Sequence, residues 1–356
     1  MFRIDMLPAN YGDCLWIEYG DPDRPTRILI DGGTGKTFGA IRARVDEVVR
    51  KERTCHFELF VITHVDQDHI GGALELVRHH EELKVSFDDI WFNGFKHVVQ
   101  VREEQAQKDE LGVKDAEQLT HMIREDRLHW NVEFGGDAIV VRDDAPLPSK
   151  QLHGGMRLTL LSPTPAALMK IGDKWADVVS EEELRAIEEE KTPSDELGDD
   201  VDINTLATSD FASDTAVANG TSIALLAEYD EKRLLLGADA FAPLLLASLQ
   251  RYDSGRKPRI HAFKLPHHGS RANLSNELLA AIECKDFLVS TNGVKHRHPN
   301  LESIARAIRA GGSGTKLHFN YKTKFNDMWE SRTLRADHEY ETFYAKPGEA
   351  SRVTLA

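Results

Sequence analysis

Two patterns of apolar and polar positions alternate along the chain. Short apolar runs closed by Gly, Asp or Pro mark strands; longer stretches with apolar residues three and four apart mark helices. Residues 2–7 and 13–19 predict paired strands around the Pro-Ala-Asn-Tyr-Gly turn at 8–12. Residues 27–30 form an apolar strand that ends in Asp31-Gly32-Gly33, and 39–52 carry a helical period. Residues 57–63 are a largely apolar strand of the kind buried on both faces, and it runs straight into His64. A helix follows over 73–82.

Further strands are predicted at 138–142 and 156–161, and a charge-rich helix at 101–127. Residues 222–229 and 233–236 read as a hairpin about Asp230-Glu231. Strands at 262–265 and 286–290 alternate with helices at 241–252, 275–283 and 300–310. Residues 338–345 and 351–355 look like a closing hairpin. Strands in two groups interleaved with helices predict an α/β architecture. No fixed-period repeat and no linker divides the chain.

Composition narrows the class. Of 356 residues, 41% are hydrophobic and 29% charged, an ordinary globular balance that allows a sizeable core. No apolar run approaches the roughly 20 residues of a bilayer span. The first twenty residues read as structure rather than as a leader. Cys14, Cys55 and Cys284 are far apart and odd in number, which argues against a disulfide framework or a thiolate metal site and for free thiols in a reducing cytoplasm. The net charge of −15 disfavours a general nucleic-acid binder. It is uneven, however: residues 251–324 hold 14 Lys/Arg against 5 Asp/Glu, and 181–202 hold 11 acidic positions in 22. The acidic stretch reads as a short helix and a loop; its spacing does not fit a calcium-binding loop.

The densest chemistry is Thr63-His64-Val65-Asp66-Gln67-Asp68-His69-Ile70-Gly71-Gly72. Four potential ligands fall within six residues at the end of an apolar strand. Imidazole and carboxylate without thiolate suit Zn²⁺, Mn²⁺ or Fe. Asp239 ends a second apolar strand, where a carboxylate could bridge two cations. His267-His268-Gly269-Ser270 ends a third, and adjacent histidines there can offer one imidazole to a metal and the other to substrate.

Strand-Asp31-Gly-Gly, His-x-Asp-x-Asp-His-x-Gly-Gly, Gly-Ala-Asp239, Pro-His-His-Gly-Ser and Gly293 to His298-Pro299 together resemble the metallo-β-lactamase superfamily in order and spacing. Within it, the chain is most similar to the soluble hydrolase domain of ComEC-type DNA-uptake proteins and to phosphorylcholine-esterase-like relatives. Asp5, Gly12-Asp13 and Asn219-Gly-Thr-Ser222 share that resemblance.

The resemblance implies a four-layer αβ/βα sandwich over residues 1–356. Insertions would fall at about 95–150 and 166–215, and a C-terminal hairpin extension would start at about 314. It also implies one or two divalent ions. His64 and Asp66 would serve one, Asp68 and His69 the other, with Asp239 bridging and His267 or His268 completing the set; His267 is taken as the ligand. Asp31 would orient the first loop, and His298 would approach from the last one. Asp66 stands where the superfamily usually has His, which gives Mn²⁺ weight against Zn²⁺. The third-motif histidine has no clear counterpart: His153 is a candidate, and Asn219 lies in that region.

The chemistry to expect is hydrolysis at neutral pH by a metal-bound hydroxide. Asp68 would serve as base as well as ligand, and His298 or His268 would protonate or stabilise the leaving oxygen. The basic segment places Arg256, Lys257, Arg259, Arg271, Lys295 and Arg297 near the site in sequence, with Ser270 beside it. An anionic substrate, a nucleic-acid phosphodiester first, is expected. A small ester or lactone is the alternative, and a catalytically silent metal-binding module of a defence or toxin complex a third, with the insertions meeting a protein partner.

Overall fold

A computed structural model describes residues 1–104, 114–173, 201–253 and 256–355. Its first half holds strands β1 (Phe2–Met6), β2 (Leu15–Gly20), β3 (Pro25–Ile30), β4 (Cys55–Phe57), β5 (Leu59–Val61), β6 (Val85–Phe87) and β7 (Ile90–Trp91). After these come β8 (Ser149–Gln151), β9 (Arg157–Ser162), β10 (Ala224–Tyr229), β11 (Lys232–Leu236), β12 (Ala262–Lys264), β13 (Asp286–Val289), β14 (Thr315–Phe319), β15 (Tyr340–Tyr344) and β16 (Ser351–Thr354). One sheet runs β16-β1-β2-β3-β5-β7, the other β15-β14-β13-β12-β11-β10-β9-β8, and β4 pairs with β6 apart from both.

The period-two pattern of the strands explains the layering. Leu15, Ile17 and Tyr19 of β2 join Leu234 and Leu236 of β11 and Leu225 and Ala227 of β10 in one apolar layer between the sheets. The alternate residues face outward. Trp16 and Leu29 pack with Ile41, Val45 and Val48 of α1 (Phe38–Glu52) and with Ile70, Leu74 and Val77 of α2 (Gln67–Arg78). Leu226, Leu235 and Phe263 face a further set of helices. After α3 (Phe95–Glu104), α4 (Lys114–Glu125), α5 (Pro165–Asp173) and α6 (Ile203–Ala207), these are α7 (Ala242–Tyr252), α8 (Asn276–Ala280) and α9 (Leu301–Gly311). Helix, sheet, sheet, helix is the predicted four-layer αβ/βα sandwich. Among the described residues no helix is long and apolar enough to cross a membrane.

Three expectations are corrected. The C-terminal strands are not a hairpin: β15 adds in parallel to β14, while β16 crosses to pair antiparallel with β1. Val353 and Leu355 thereby enter the layer between the sheets, which a tail hairpin could not achieve. Residues 138–142 form no strand. Ile139 and Val141 are buried with the right alternation, but the Ile139 amide donates to the Asn93 side chain and the Val141 amide to the Pro163 carbonyl, so no ladder forms. The run at 57–63 is split at Glu58 between β4 and β5, which serve different sheets. Of the helix foreseen at 101–127, the described residues hold the end of α3 and the whole of α4; the residues between lie outside the described ones. So does the acidic stretch up to 200; Asp202 caps α6 by accepting from the amides of Asn204 and Thr205. The Asp230-Glu231 hairpin is as foreseen, with both residues at positive φ as a tight two-residue turn demands.

Candidate metal centre

The C-terminal ends of β3, β5, β11, β12 and β13 converge on one edge of the sandwich, and each delivers one part of the site. Asp31 follows β3, His64 follows β5, and Asp66, Asp68 and His69 open α2. Asp239 follows β11, His267 and His268 follow β12, and Ser290 follows β13. Close backbone approach holds the loops together. Gly72 is pressed on the loop after β3, where a Cβ would lie 2.0 Å from the Gly32 carbonyl oxygen. At Gly12 a Cβ would lie 1.8 Å from the carbonyl oxygen of Asp68, so the β1–β2 turn can pass only as glycine.

Three imidazoles are fixed through Nδ1. His69 Nδ1 lies 2.8 Å from Asp31 Oδ2, His268 Nδ1 2.9 Å from the Ser290 carbonyl oxygen, and His64 Nδ1 3.0 Å from the Thr63 hydroxyl. Thr63 in turn donates to Asp31 through both its amide and its hydroxyl, at 2.8 Å each. With Nδ1–H donating outward, each ring turns its Nε2 into the site. Among the described residues these three buried Nε2 atoms have no hydrogen-bond partner, and neither do Asp239 Oδ1 and Asp66 Oδ1. Buried polar atoms are rarely orphaned without a reason.

All three Nε2 atoms lie within 4 Å of one carboxylate oxygen. Asp239 Oδ2 lies 3.9 Å from His64 Nε2, 3.4 Å from His69 Nε2 and 3.7 Å from His268 Nε2. Asp68 Oδ2 lies 3.8 Å from His69 Nε2 and 3.3 Å from His268 Nε2. His64-His69-Asp239 and Asp68-His69-His268 thus each place three ligand atoms within 4.8 Å of one another. Buried carboxylates facing imidazole nitrogens fit a divalent cation, and the two groups share His69.

Charge follows from this enclosure. Burial alone would raise the carboxyls of Asp68 and Asp239, but the adjacent His69 and His268 rings outweigh it and hold both well below the usual range. Burial would lower His268, yet Asp239 and Asp13 push it up to about 9. His298 goes the other way: burial, then the charges of His267 and His296, hold it well below an ordinary histidine.

The predicted residues are not all where their spacing suggested. His268 belongs to the ligand-bearing groups, whereas His267 stands beside them, its Nε2 3.8 Å from Asp239 and its Nδ1 3.0 Å from Asn273 Oδ1. Asp66 lies 3.6 Å from His64 Nε2 but in neither group. Asn219 reaches the edge of the site, donating to Asp214 at 2.7 Å. His298 stacks edge-on to His267 with centroids 5.1 Å apart. The Ser270 hydroxyl accepts the Ala272 amide and so shapes its turn. His153 sits in the β8–β9 turn, next to Gly154, which touches Tyr19 and Thr26 at the far end of the sandwich.

The basic residues divide as well. Arg256, Lys257 and Arg259 precede β12 at the strand end away from His267, and Arg271 pairs with Glu302 at 2.9 Å. Lys295 and Arg297 remain on the loop that carries His298.

Asp214 and Lys264 were not foreseen. Asp214 accepts from Asn219 and Asn273 and lies 3.4 Å from His267 Nδ1, which with Asp239 offsets burial and raises that histidine. No motif marks Asp214 in its polar surroundings. Lys264 did leave a signal: one lysine inside the apolar run Ala262-Phe263-Lys264-Leu265.

No curated protein matches the chain. Among solved structures it is similar to the metallo-β-lactamase-fold protein YhfI from Bacillus subtilis, at 10% identity over 99% of both chains with a TM-score of 0.39. It is also similar to an inferred metal-dependent hydrolase from Parabacteroides distasonis, at 8% identity over 96% of this chain and 93% of that one, TM-score 0.40. The family model of the metallo-beta-lactamase superfamily matches residues 8–293. It runs from the turn before Asp13 to the loop that carries His298, across both sheets and every ligand candidate: the chain belongs to the metallo-β-lactamase superfamily.

Proposed function

We propose that this chain is a metal-dependent hydrolase acting on phosphodiesters, with nucleic acid as the first substrate to test. The observation that carries the hydrolase reading is the convergence on Asp239 of three buried histidine Nε2 atoms that have no hydrogen-bond partner among the described residues. His64, with Asp66 beside it, and Asp239 would hold one ion. Asp68, His69, His268 and Asp239 would hold the other. Bound there, a divalent ion supplies a nucleophile at neutral pH and neutralises developing negative charge on the reacting group.

The protein's own part is orientation and proton traffic. Asp31 and Thr63 fix the tautomers of His69 and His64. Asp68, held ionised, acts as a ligand before it acts as a base. His298 is kept neutral by burial, and among the described residues its Nδ1 has no hydrogen-bond partner. His267 is raised toward its charged form and is the better donor to a leaving oxygen. In this reading the donor role foreseen for His298 or for one of the paired histidines falls to His267. Lys295 and Arg297 support an anionic substrate, since both lie on the loop that brings His298 to the site.

The test is cleavage of end-labelled single- and double-stranded DNA and RNA with Mn²⁺ or Zn²⁺, with Asp68→Ala in parallel. Metal-dependent cleavage lost in the variant is the expected result. Turnover of uncharged esters but of no nucleic acid would replace the phosphodiester by the small-ester alternative. No turnover at all would leave a silent metal-binding module.

A further inference from the structure

Beneath the ligands, a lysine with almost no exposure is held inside the protein. Lys264 of β12 donates through Nζ to Asp13 Oδ2 at 2.6 Å and to the Leu265 carbonyl at 3.0 Å, and both side chains of the ion pair are 1% exposed. The two come from opposite sheets. Asp13 enters β2 of the first sheet, and its backbone is tied to both ligand loops there: its amide donates to the Asp68 carbonyl at 3.2 Å, and its carbonyl accepts the Gly33 amide at 2.6 Å. Its carboxylate reaches across the interface. Besides Lys264 it meets His268, with Oδ1 3.4 Å from Nδ1 of that ring.

We propose that Lys264 and Asp13 form a clamp between the two sheets that sets His268 in register with Asp68 and His69, so that ligands borne by opposite sheets form one site. Both are positioning residues. The proposal rests on the metal reading of the site, and it assigns to the pair a task beyond charge balance.

Two physical accounts of a buried lysine here differ in sign. As a mere counter-charge, Lys264 repels a neighbouring cation and draws Asp13 away from it, so its removal tightens metal binding. Asp13, Asp239 and His268 do offer three ligand atoms within 4.8 Å, so a freed Asp13 could even join the ligands. As a clamp, Lys264 fixes the carboxylate that stands behind His268, and its removal loosens binding. Groups supporting a metal ligand typically change affinity ten- to a hundredfold.

The experiment uses the full chain freed of metal. Zn²⁺ affinity is measured by competition with a chelator, and Co²⁺ is followed by its visible absorption, which reports coordination geometry. Thermal unfolding runs alongside. Lys264→Met should bind Zn²⁺ at least tenfold more weakly and alter the Co²⁺ bands. The double variant Asp13→Asn, Lys264→Met contains no stranded charge and keeps the fold testable if the single variant unfolds; it should remain as weak. Binding as tight as wild type or tighter in Lys264→Met overturns the clamp, as does recovery of wild-type affinity in the double variant. A wild-type chain that takes up neither ion contradicts the metal reading itself, which separates that failure from a failure of the clamp.

Discussion

Asp31 Oδ2 lies 2.8 Å from Nδ1 of His69 and the same distance from the Thr63 hydroxyl, which itself meets His64. One buried carboxylate therefore sets the orientation of two imidazoles on either side of the strand-to-helix loop. It accepts three hydrogen bonds, two from Thr63 and one from His69.

Asp31→Asn tests that arrangement. An amide cannot accept everything this carboxylate accepts, because its NH₂ end is a donor. Metal affinity should fall roughly ten- to a hundredfold. Chelator competition measures it, and circular dichroism should show the fold retained. Unchanged affinity would mean the ring orientations are set elsewhere.

Acid should open the packing around His97, near the start of α3. His97 accepts the Gly94 amide at Nδ1, 3.1 Å, and its Nε2 lies 3.2 Å from the Gly136 carbonyl, so the neutral ring is the one that fits. Burial, reinforced by Lys96, lowers His97 to about 3. A histidine lowered in the folded state binds its proton more readily when unfolded. Its contribution is thus complete above pH 6.5 and is lost as pH falls toward 3. Trp130, edge-on to His97 at 4.7 Å, should report local opening by fluorescence in that window. His97→Gln should remove the transition; a transition that persists unchanged belongs to other groups.

The fold and much of the candidate site were legible in the sequence because both rest on local pattern. Strand period and turn residues located most elements, and one short loop holds four ligand candidates. What stayed hidden depends on distant partners. Nothing within 338–355 tells that β16 leaves its neighbour for β1. Nothing in His267-His268 tells which ring turns inward: that is decided by the Ser290 carbonyl on one and by Asn273 and Asp214 on the other. Sequence proximity also misplaced Arg259, since β12 carries the chain from one end of the sandwich to the other between Arg259 and His267.

Deleting residues 351–356 measures the reassigned tail. It takes Val353 and Leu355 out of the layer between the sheets, and Arg352 away from Asp5, which it meets at 2.7 Å. Loss of about 2–5 kcal/mol is expected from the apolar residues alone, on the scale of large-to-small core changes. Urea unfolding checks it; a dispensable tail would leave the midpoint unmoved.

Lys295→Ala with Arg297→Ala should raise KM for a nucleic-acid substrate several-fold and flatten its salt dependence, by about one unit of slope for each phosphate that is no longer neutralised. Turnover of an uncharged ester should stay the same. An equal loss on both substrates would place these residues in the support of the loop instead of the binding of phosphate.

The most direct test of the centre is metal content. Wild type and Asp239→Ala are dialysed against Zn²⁺ or Mn²⁺, then against metal-free buffer, and analysed for bound metal. Wild type should retain at least one equivalent, and Asp239→Ala, missing the carboxylate on which His64, His69 and His268 converge, should retain far less at unchanged fold. Equal retention by both, or none by wild type, would contradict a metal centre built on Asp239.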